Sequence, residues 1–198
     1  IELDKFKIPK KKNKKIEFLF VGRVETEKGV NELIEAVNMI RDKSPNFILK
    51  LLGDGKELNK FKEKVEKYSL QDKIKFLGKM NHEDVIKEYF KSDIFILPSH
   101  QEGFPNTLLE AWGASLPVII TDVGGVSKVC TNNKDSLIIP SEDIEEIKNA
   151  MIRLIEDKQL RYKLGKNGRK LVEQKYTWKK VNKVIEEIYN QVIKQKKK

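Results

Sequence analysis

Two segments of the chain carry residue types suited to holding an anion and a polyhydroxyl ligand. The first is Gly22-Arg23-Val24-Glu25-Thr26-Glu27-Lys28-Gly29, where two permanent cations stand five residues apart between glycines. Arginine offers phosphate oxygens a planar fork and lysine a point charge, so Arg23 and Lys28 together could neutralise a diphosphate. An ordinary pair of surface cations answering Glu25 and Glu27 is the competing reading, and the segment alone leaves both open.

The second segment runs from Pro98 through Ser99, His100, Gln101, Glu102, Gly103, Phe104, Pro105, Asn106, Thr107, Leu108 and Leu109 to Glu110. Gly103 and Pro105 impose an irregular loop, and a helix is expected to open around Asn106. Its first N–H groups have no partner within the helix and suit an anion, and Thr107 adds a hydroxyl. Glu102 falls on the loop and Glu110 about 6 Å into the helix at 1.5 Å per residue. One carboxylate could then hold the hydroxyls of a sugar and the other those of a ribose. Equally, Glu110 could be a first-turn acid facing the helix dipole and Glu102 a solvated loop residue. His100 has a general-base reading and a structural one, of which the structural is favoured. His82 is expected merely to open a helix. Cys130 reads as a small, semi-buried thiol with no histidine partner, and Trp178 as a packing anchor.

Positioning these residues falls to an alternation of short apolar runs and amphipathic stretches. Strands are expected at 16–21, 47–52, 74–77, 94–97, 118–121 and 137–139. Helices are expected over 29–43 (closed by Pro45), 56–68, 82–91, from 106, through 144–155, and near 158–174 and 178–193. Strands separated by helices imply an α/β fold, a doubly wound parallel sheet of about six strands with helices on both faces and extra C-terminal helices. Such a sheet binds ligand at the carboxyl ends of its strands. Gly22, Gly53, Gly55, Gly78, Gly124 and Gly125 all follow expected strands, on that rim. No Walker A sequence and no G-x-G-x-x-G is present, which disfavours P-loop phosphotransfer and a standard dinucleotide site.

The 198 residues carry a formal net charge of +10, with 39% hydrophobic and 35% charged residues and one cysteine. The size suits one compact domain with an appendage. A lone cysteine excludes an intramolecular disulfide, and no Cys/His spacing reads as a metal site. No apolar run reaches the ~20 residues of a membrane span. Without a signal-like opening, a cytoplasmic location is expected. Most of the excess charge lies in lysine-rich ends, seven lysines in 5–15 and four in 194–198, whereas 158–183 holds ten lysines and arginines against Glu173 alone. That basic stretch leaves an alternative open, a nucleic-acid- or membrane-surface-binding module without catalysis. Sparse aromatic interleaving argues against specific nucleic acid, while an anionic membrane face would gain about 1 kcal/mol per well-placed cation.

Glu102 and Glu110, with seven residues between them in EGFPNTLLEA after LPS, resemble the Glu-x₇-Glu signature of retaining glycosyltransferases of the GT-B fold, family four, glycosyl transferases group 1. FVGRVETEKG, LLGDG, IKFLG, SDIFILPS, LPVIITDVGG and LIIP resemble that family's blocks in the same order, over about 16–178. The opening IELDKFKIP is similar to its interdomain linker. The resemblance implies a linker remnant at 1–15, a Rossmann-like nucleotide-sugar-binding domain at 16–177 and a C-terminal helix with lysine-rich tail at 178–198. It implies that the acceptor-binding N-terminal domain of the full-length chain is absent.

By the same resemblance Arg23 and Lys28 bind the donor diphosphate, Glu102 holds hydroxyls of the transferred sugar, and these three form the catalytic set. Gly22 admits the phosphates. Backbone amides from Gly103 through Phe104 and Pro105 to Asn106 face the sugar and phosphates, with Thr107 and Leu108 at the diphosphate. Glu110 binds the ribose, and Phe76, Leu77, Gly78 and Met80 border the base. The implied partner is a UDP-, GDP- or ADP-linked sugar, transferred with retention to an acceptor hydroxyl without a cofactor or divalent metal. Front-face attack is implied, with Glu102 positioning rather than forming a covalent bond, the latter being a minority reading. Lys128 where the family often has Glu, Ser136 where Gly is usual and Asn106 for a frequent Gly depart from the pattern.

Overall fold

The computed structural model describes residues 1–6, 15–44 and 46–196, with side chains through 194. Six strands form one parallel sheet: β1 (Ile16–Val21), β2 (Phe47–Leu52), β3 (Ile74–Gly78), β4 (Ile94–Leu97), β5 (Val118–Thr121) and β6 (Ser136–Ile139). Their order across the sheet is β3-β2-β1-β4-β5-β6. The helices are α1 (Val30–Ile40), α2 (Leu58–Lys67), α3 (His82–Lys91), α4 (Asn106–Gly113), α5 (Val126–Val129), α6 (Ile144–Glu156), α7 (Lys158–Leu171) and α8 (Trp178–Lys196).

The strands agree with the apolar runs because a sheet covered on both faces buries consecutive residues. Phe18, Leu19 and Phe20 of β1, all of β4, and Val118, Ile119 and Ile120 of β5 are sealed from solvent. Helices cover both faces, α1 packing on α6 and α4 packing on α3 and α7. The order of strand addition reverses between β1 and β4, running outward to β3 on one side and to β6 on the other, and the loops after these two strands, which carry Arg23, Lys28 and Glu102, meet at that switch point.

Helix α4, which carries Thr107 and Glu110, is fixed from behind. Trp112 is fully buried, and its Nε1–H donates to the Asp135 carbonyl at 3.2 Å. Gly168 and Gly165 let α7 close onto this region. A Cβ at Gly168 would stand 2.1 Å from the Trp112 ring, and one at Gly165 would stand 2.2 Å from the Ser115 carbonyl.

Several expectations are corrected by tertiary packing. The helix begun at Lys158 stops at Leu171 and continues as a π-turn over Val172–Tyr176. Trp178 is largely exposed rather than a packing anchor, as are Val184, Ile185, Ile188, Tyr189, Val192 and Ile193 along α8. Two arginines of the basic stretch are turned inward. Arg161 donates to the Leu154 and Ile155 carbonyls, and Arg169 to those of Phe6 and Gly113. Residues 1–6 lie against the domain, with Phe6 buried beside Phe90 and the Ile1 amine donating to the Tyr176 carbonyl. The linker reading at 7–14, the helix stop at Pro45 and the last two lysines fall outside the described residues. Among the described residues no helix is long and apolar enough to cross a membrane.

Candidate functional site

The loop from Gly22 to Gly29 is shaped by contacts on three sides. Gly29 has φ +70°, and a Cβ there would lie 1.9 Å from the Pro98 carbonyl oxygen, so only glycine lets this loop seat against the end of β4. A short 3-10 turn over Thr26–Lys28 then delivers Lys28 toward the next loop. The Lys28 ammonium donates to Glu102 Oε1 at 2.6 Å, and the Ser99 hydroxyl donates to the same oxygen at 2.8 Å. Lys28 and Glu102 are both mostly shielded from solvent, so their attraction is screened less than that of a surface pair.

Arg23 is placed differently. Its guanidinium is mostly exposed, paired with Glu25 at 2.8 Å and Glu27 at 3.8 Å. It lines a cleft of about 450 Å³ with Gly22, Asp54, Gly55 and Lys79. A neighbouring cleft of about 370 Å³ is lined by Lys28, Gln101, Glu102 and Gly103. Arg23 thus answers the local glutamates, while Lys28 meets the Glu102 loop.

The 99–105 loop is held by its neighbours. Gly124, at φ +60°, would place a Cβ 1.9 Å from the Glu102 carbonyl oxygen, and the Gly125 N–H points to the Gly103 carbonyl at 3.4 Å. The His100 N–H donates to the Glu27 carbonyl at 3.0 Å, and its imidazole sits 3.2 Å from Glu32 on α1. His100 thus contacts the Lys28 turn through its backbone and α1 through its imidazole.

Glu110 is gripped from the α3 side. The Tyr89 hydroxyl donates to Oε2 at 3.0 Å, and His82 Nε2 lies 2.9 Å from Oε1. Tyr89 is fully buried, and desolvation, helped by the Glu110 charge, raises its phenol well above the ordinary value. It therefore remains a donor to Glu110 across the neutral range. His82 opens α3 as expected but does more, by reaching Glu110.

Pro105 caps α4 without a side-chain bond, its carbonyl taking the Leu108 N–H at 3.1 Å, so the Asn106 and Thr107 N–H groups are left for another acceptor. Thr107 is only partly exposed, while Leu108 is fully buried and its N–H donates to the Pro105 carbonyl. Phe104 is exposed, 6.1 Å from the Tyr176 ring. Phe76, Leu77 and Met80 are half-buried against the core at the end of β3, where Gly78 has φ +72°. Sequence reasoning missed Asp54, Lys79, Glu57 and Tyr89. Asp54 and Lys79 directly adjoin Gly53 and Gly78, so strand-end position was a usable signal for both. Among the described residues, no three His, Cys, Asp or Glu side chains gather as a metal cage.

Residues 2–171 match the model of the family described as Glycosyl transferases group 1. The chain is 32% identical over 176 residues to the capsular polysaccharide biosynthesis glycosyltransferase CapM of Staphylococcus aureus. That alignment covers 89% of this chain and 46% of CapM, so the chain spans about half the length of this relative. The C-terminal domain of a glycosyl transferase group 1 family protein (LpcC) from Francisella tularensis matches with a TM-score of 0.81 at 26% identity, over 90% of this chain and 99% of that one. Anabaena Alr3699/HepE, in complex with UDP-glucose, shares the fold with a TM-score of 0.85 at 18% identity, over 96% of this chain and 56% of its own. Together with the switch-point loops and the ordered sequence blocks, these matches lead to one conclusion: the chain belongs to the glycosyl transferases group 1 family.

Proposed function

We propose that this chain is the donor-binding half of a retaining, metal-independent glycosyltransferase that moves a sugar from a nucleoside-diphosphate sugar to an acceptor hydroxyl. The observation that carries the reading is the Lys28–Glu102 pair, a cation and a carboxylate brought together at the switch point from two strand-end loops. In it Lys28 turns to the donor's diphosphate, joined by Arg23, while Glu102 accepts from hydroxyls of the transferred sugar. Both protein donors to Glu102 fall on Oε1, which leaves Oε2 to accept from the sugar. The acceptor oxygen bonds to the anomeric carbon, the bond from that carbon to the diphosphate breaks, and a departing phosphate oxygen takes the acceptor proton. Fixed cations and the N–H groups opening α4 balance the charge of the leaving diphosphate. The relative solved with UDP-glucose supports a nucleotide-sugar donor, and the length of CapM supports a separate acceptor-binding half.

Calorimetric titration of UDP, GDP and ADP into the protein tests this. At least one should bind saturably, and the Arg23→Ala/Lys28→Ala double variant should lose most of that affinity. No binding to any of the three by the wild type would overturn the reading. A peripheral contact with anionic membrane is a second reading, favoured by exposed Trp178, Ile185, Ile188 and Tyr189 on the helix that carries Lys179, Lys180 and Lys183. Co-sedimentation with vesicles should then rise with anionic lipid content, and indifference to that content removes it.

A further inference from the structure

The 3-10 turn that carries Lys28 has three residues and, as a helix, cannot satisfy its own first N–H. That N–H, on Thr26, donates to Glu57 Oε2 at 2.7 Å, and the Thr26 hydroxyl donates to Glu57 Oε1 at 3.0 Å. Both oxygens of one carboxylate therefore land on one residue of the turn, two positions before Lys28. Glu57 stands just ahead of α2, at the end of the loop after β2, and its side chain caps no N–H of its own helix. Its remaining partner is the Lys60 ammonium at 3.0 Å.

The backbone around this contact is built for close approach. The Val24 N–H donates to the Asp54 carbonyl at 3.0 Å. A Cβ at Gly53 would stand 1.9 Å from the Gly22 carbonyl oxygen, and one at Gly55 would stand 2.5 Å from that of Val24. The loops after β1 and β2 are thus pressed together along their length. Both loops line the cleft that Arg23 borders. Glu57 is the side chain that extends this seam to the turn of Lys28.

We propose that Glu57 is a positioning residue for the diphosphate-binding cations, fixing the 26–28 turn through Thr26 so that Lys28 is already in place when a nucleoside diphosphate arrives. The inference rests on the donor-binding reading above. Electrostatics alone points the other way. A carboxylate beside an anion site repels the anion, so a purely electrostatic role would make any neutral substitution tighten binding. Donation from the Thr26 backbone and from Lys60 holds this carboxyl down at about 2, so it stays ionised and keeps its grip at any ordinary pH. A charge kept next to an anion site, with both oxygens spent on the turn, fits positioning.

The test compares Glu57→Ala, Glu57→Gln and Thr26→Val. Calorimetry with UDP, and NMR titration with uridine as the phosphate-free probe, read the ligand side. Hydrogen exchange at the Thr26 amide reads the clamp without ligand. Glu57→Ala should weaken UDP at least about tenfold, leave uridine unchanged and deprotect the Thr26 amide. Glu57→Gln keeps an acceptor for that amide and should recover most of both, while Thr26→Val should fall between. Equal loss for UDP and uridine, unchanged exchange at Thr26, or tighter UDP binding by Glu57→Ala overturns the inference. If the wild type binds no nucleoside diphosphate, the donor-binding reading fails by itself. The clamp is then decided by the amide alone, with protection lost in Glu57→Ala and kept in Glu57→Gln upholding it.

Discussion

The Lys28 ammonium lies 2.6 Å from the Glu102 carboxylate, which ties the loop after β1 to the loop after β4 across the point where the strand order reverses. With side chains only 16% and 12% exposed, each charge would be left poorly solvated if the other were removed. Lys28→Ala should therefore destabilise the domain by about 1–3 kcal/mol, below the cost at full burial because the pair opens onto a cleft. Lys28→Ala/Glu102→Ala should cost less than the two single changes added, with a coupling of about 0.5–3 kcal/mol. Urea unfolding of the four proteins measures it, and strict additivity would show that the contact carries no energy.

Arg23 should behave in the opposite way, because its guanidinium is mostly exposed and its glutamate partners lie in the same loop. Arg23→Ala should shift stability by no more than about 0.5 kcal/mol. It should nevertheless weaken nucleoside diphosphate binding about tenfold or more, the worth of a charge-assisted bond to phosphate. A thermal melt beside a UDP titration separates the two effects. A large melting shift with unchanged affinity would make Arg23 a structural residue.

These two cations were visible in the sequence because both stand in a glycine-bounded run directly after an apolar strand. The six strands were visible for a related reason, since a sheet buried on both faces writes itself as uninterrupted apolar runs. What holds the site residues was not visible. Glu57 reaches Thr26 across 31 residues and His82 reaches Glu110 across 28, and a glutamate or histidine at a helix start looks alike whether it faces water or a partner. Arg161 and Arg169 were counted with a basic surface because charge sums cannot tell a solvated guanidinium from one capping buried carbonyls. Trp178 failed for the complementary reason, since an aromatic residue at a helix start does not say what, if anything, covers it.

The glycines near Glu102 allow a paired prediction. Gly124→Ala meets both a φ of +60° and a backbone oxygen 1.9 Å from the new Cβ, that of Glu102 itself. The strain alone costs about 1–3 kcal/mol, and relieving the clash must move the Glu102 loop. Gly103→Ala meets nothing within 4 Å, so its cost should stay within about 1 kcal/mol. Urea midpoints for the two variants should differ accordingly, with Gly124→Ala also losing the Lys28–Glu102 coupling. Equal midpoints would mean the 124–125 turn yields without disturbing its neighbour.

Cys130, buried behind the α5 turn, should be inert while the domain is folded. Burial pushes its thiol up to about 12 from an ordinary value near 9, outweighing the lowering effect of the nearby Ser136 hydroxyl, and the Asp135 and Asp122 charges push the same way. At pH 8 its thiolate fraction is then about a thousandfold below that of the unfolded chain. Ellman's reagent should react slowly with the native protein and rapidly in urea, by at least that ratio once access is included. The sign of the stability effect follows. Between pH 9 and 12 the unfolded chain releases this proton while the fold retains it, so this group lowers stability as pH rises through that window. Cys130→Ala should flatten that alkaline decline, and a variant that tracks the wild type from pH 9 upward would show that the thiol does not drive it.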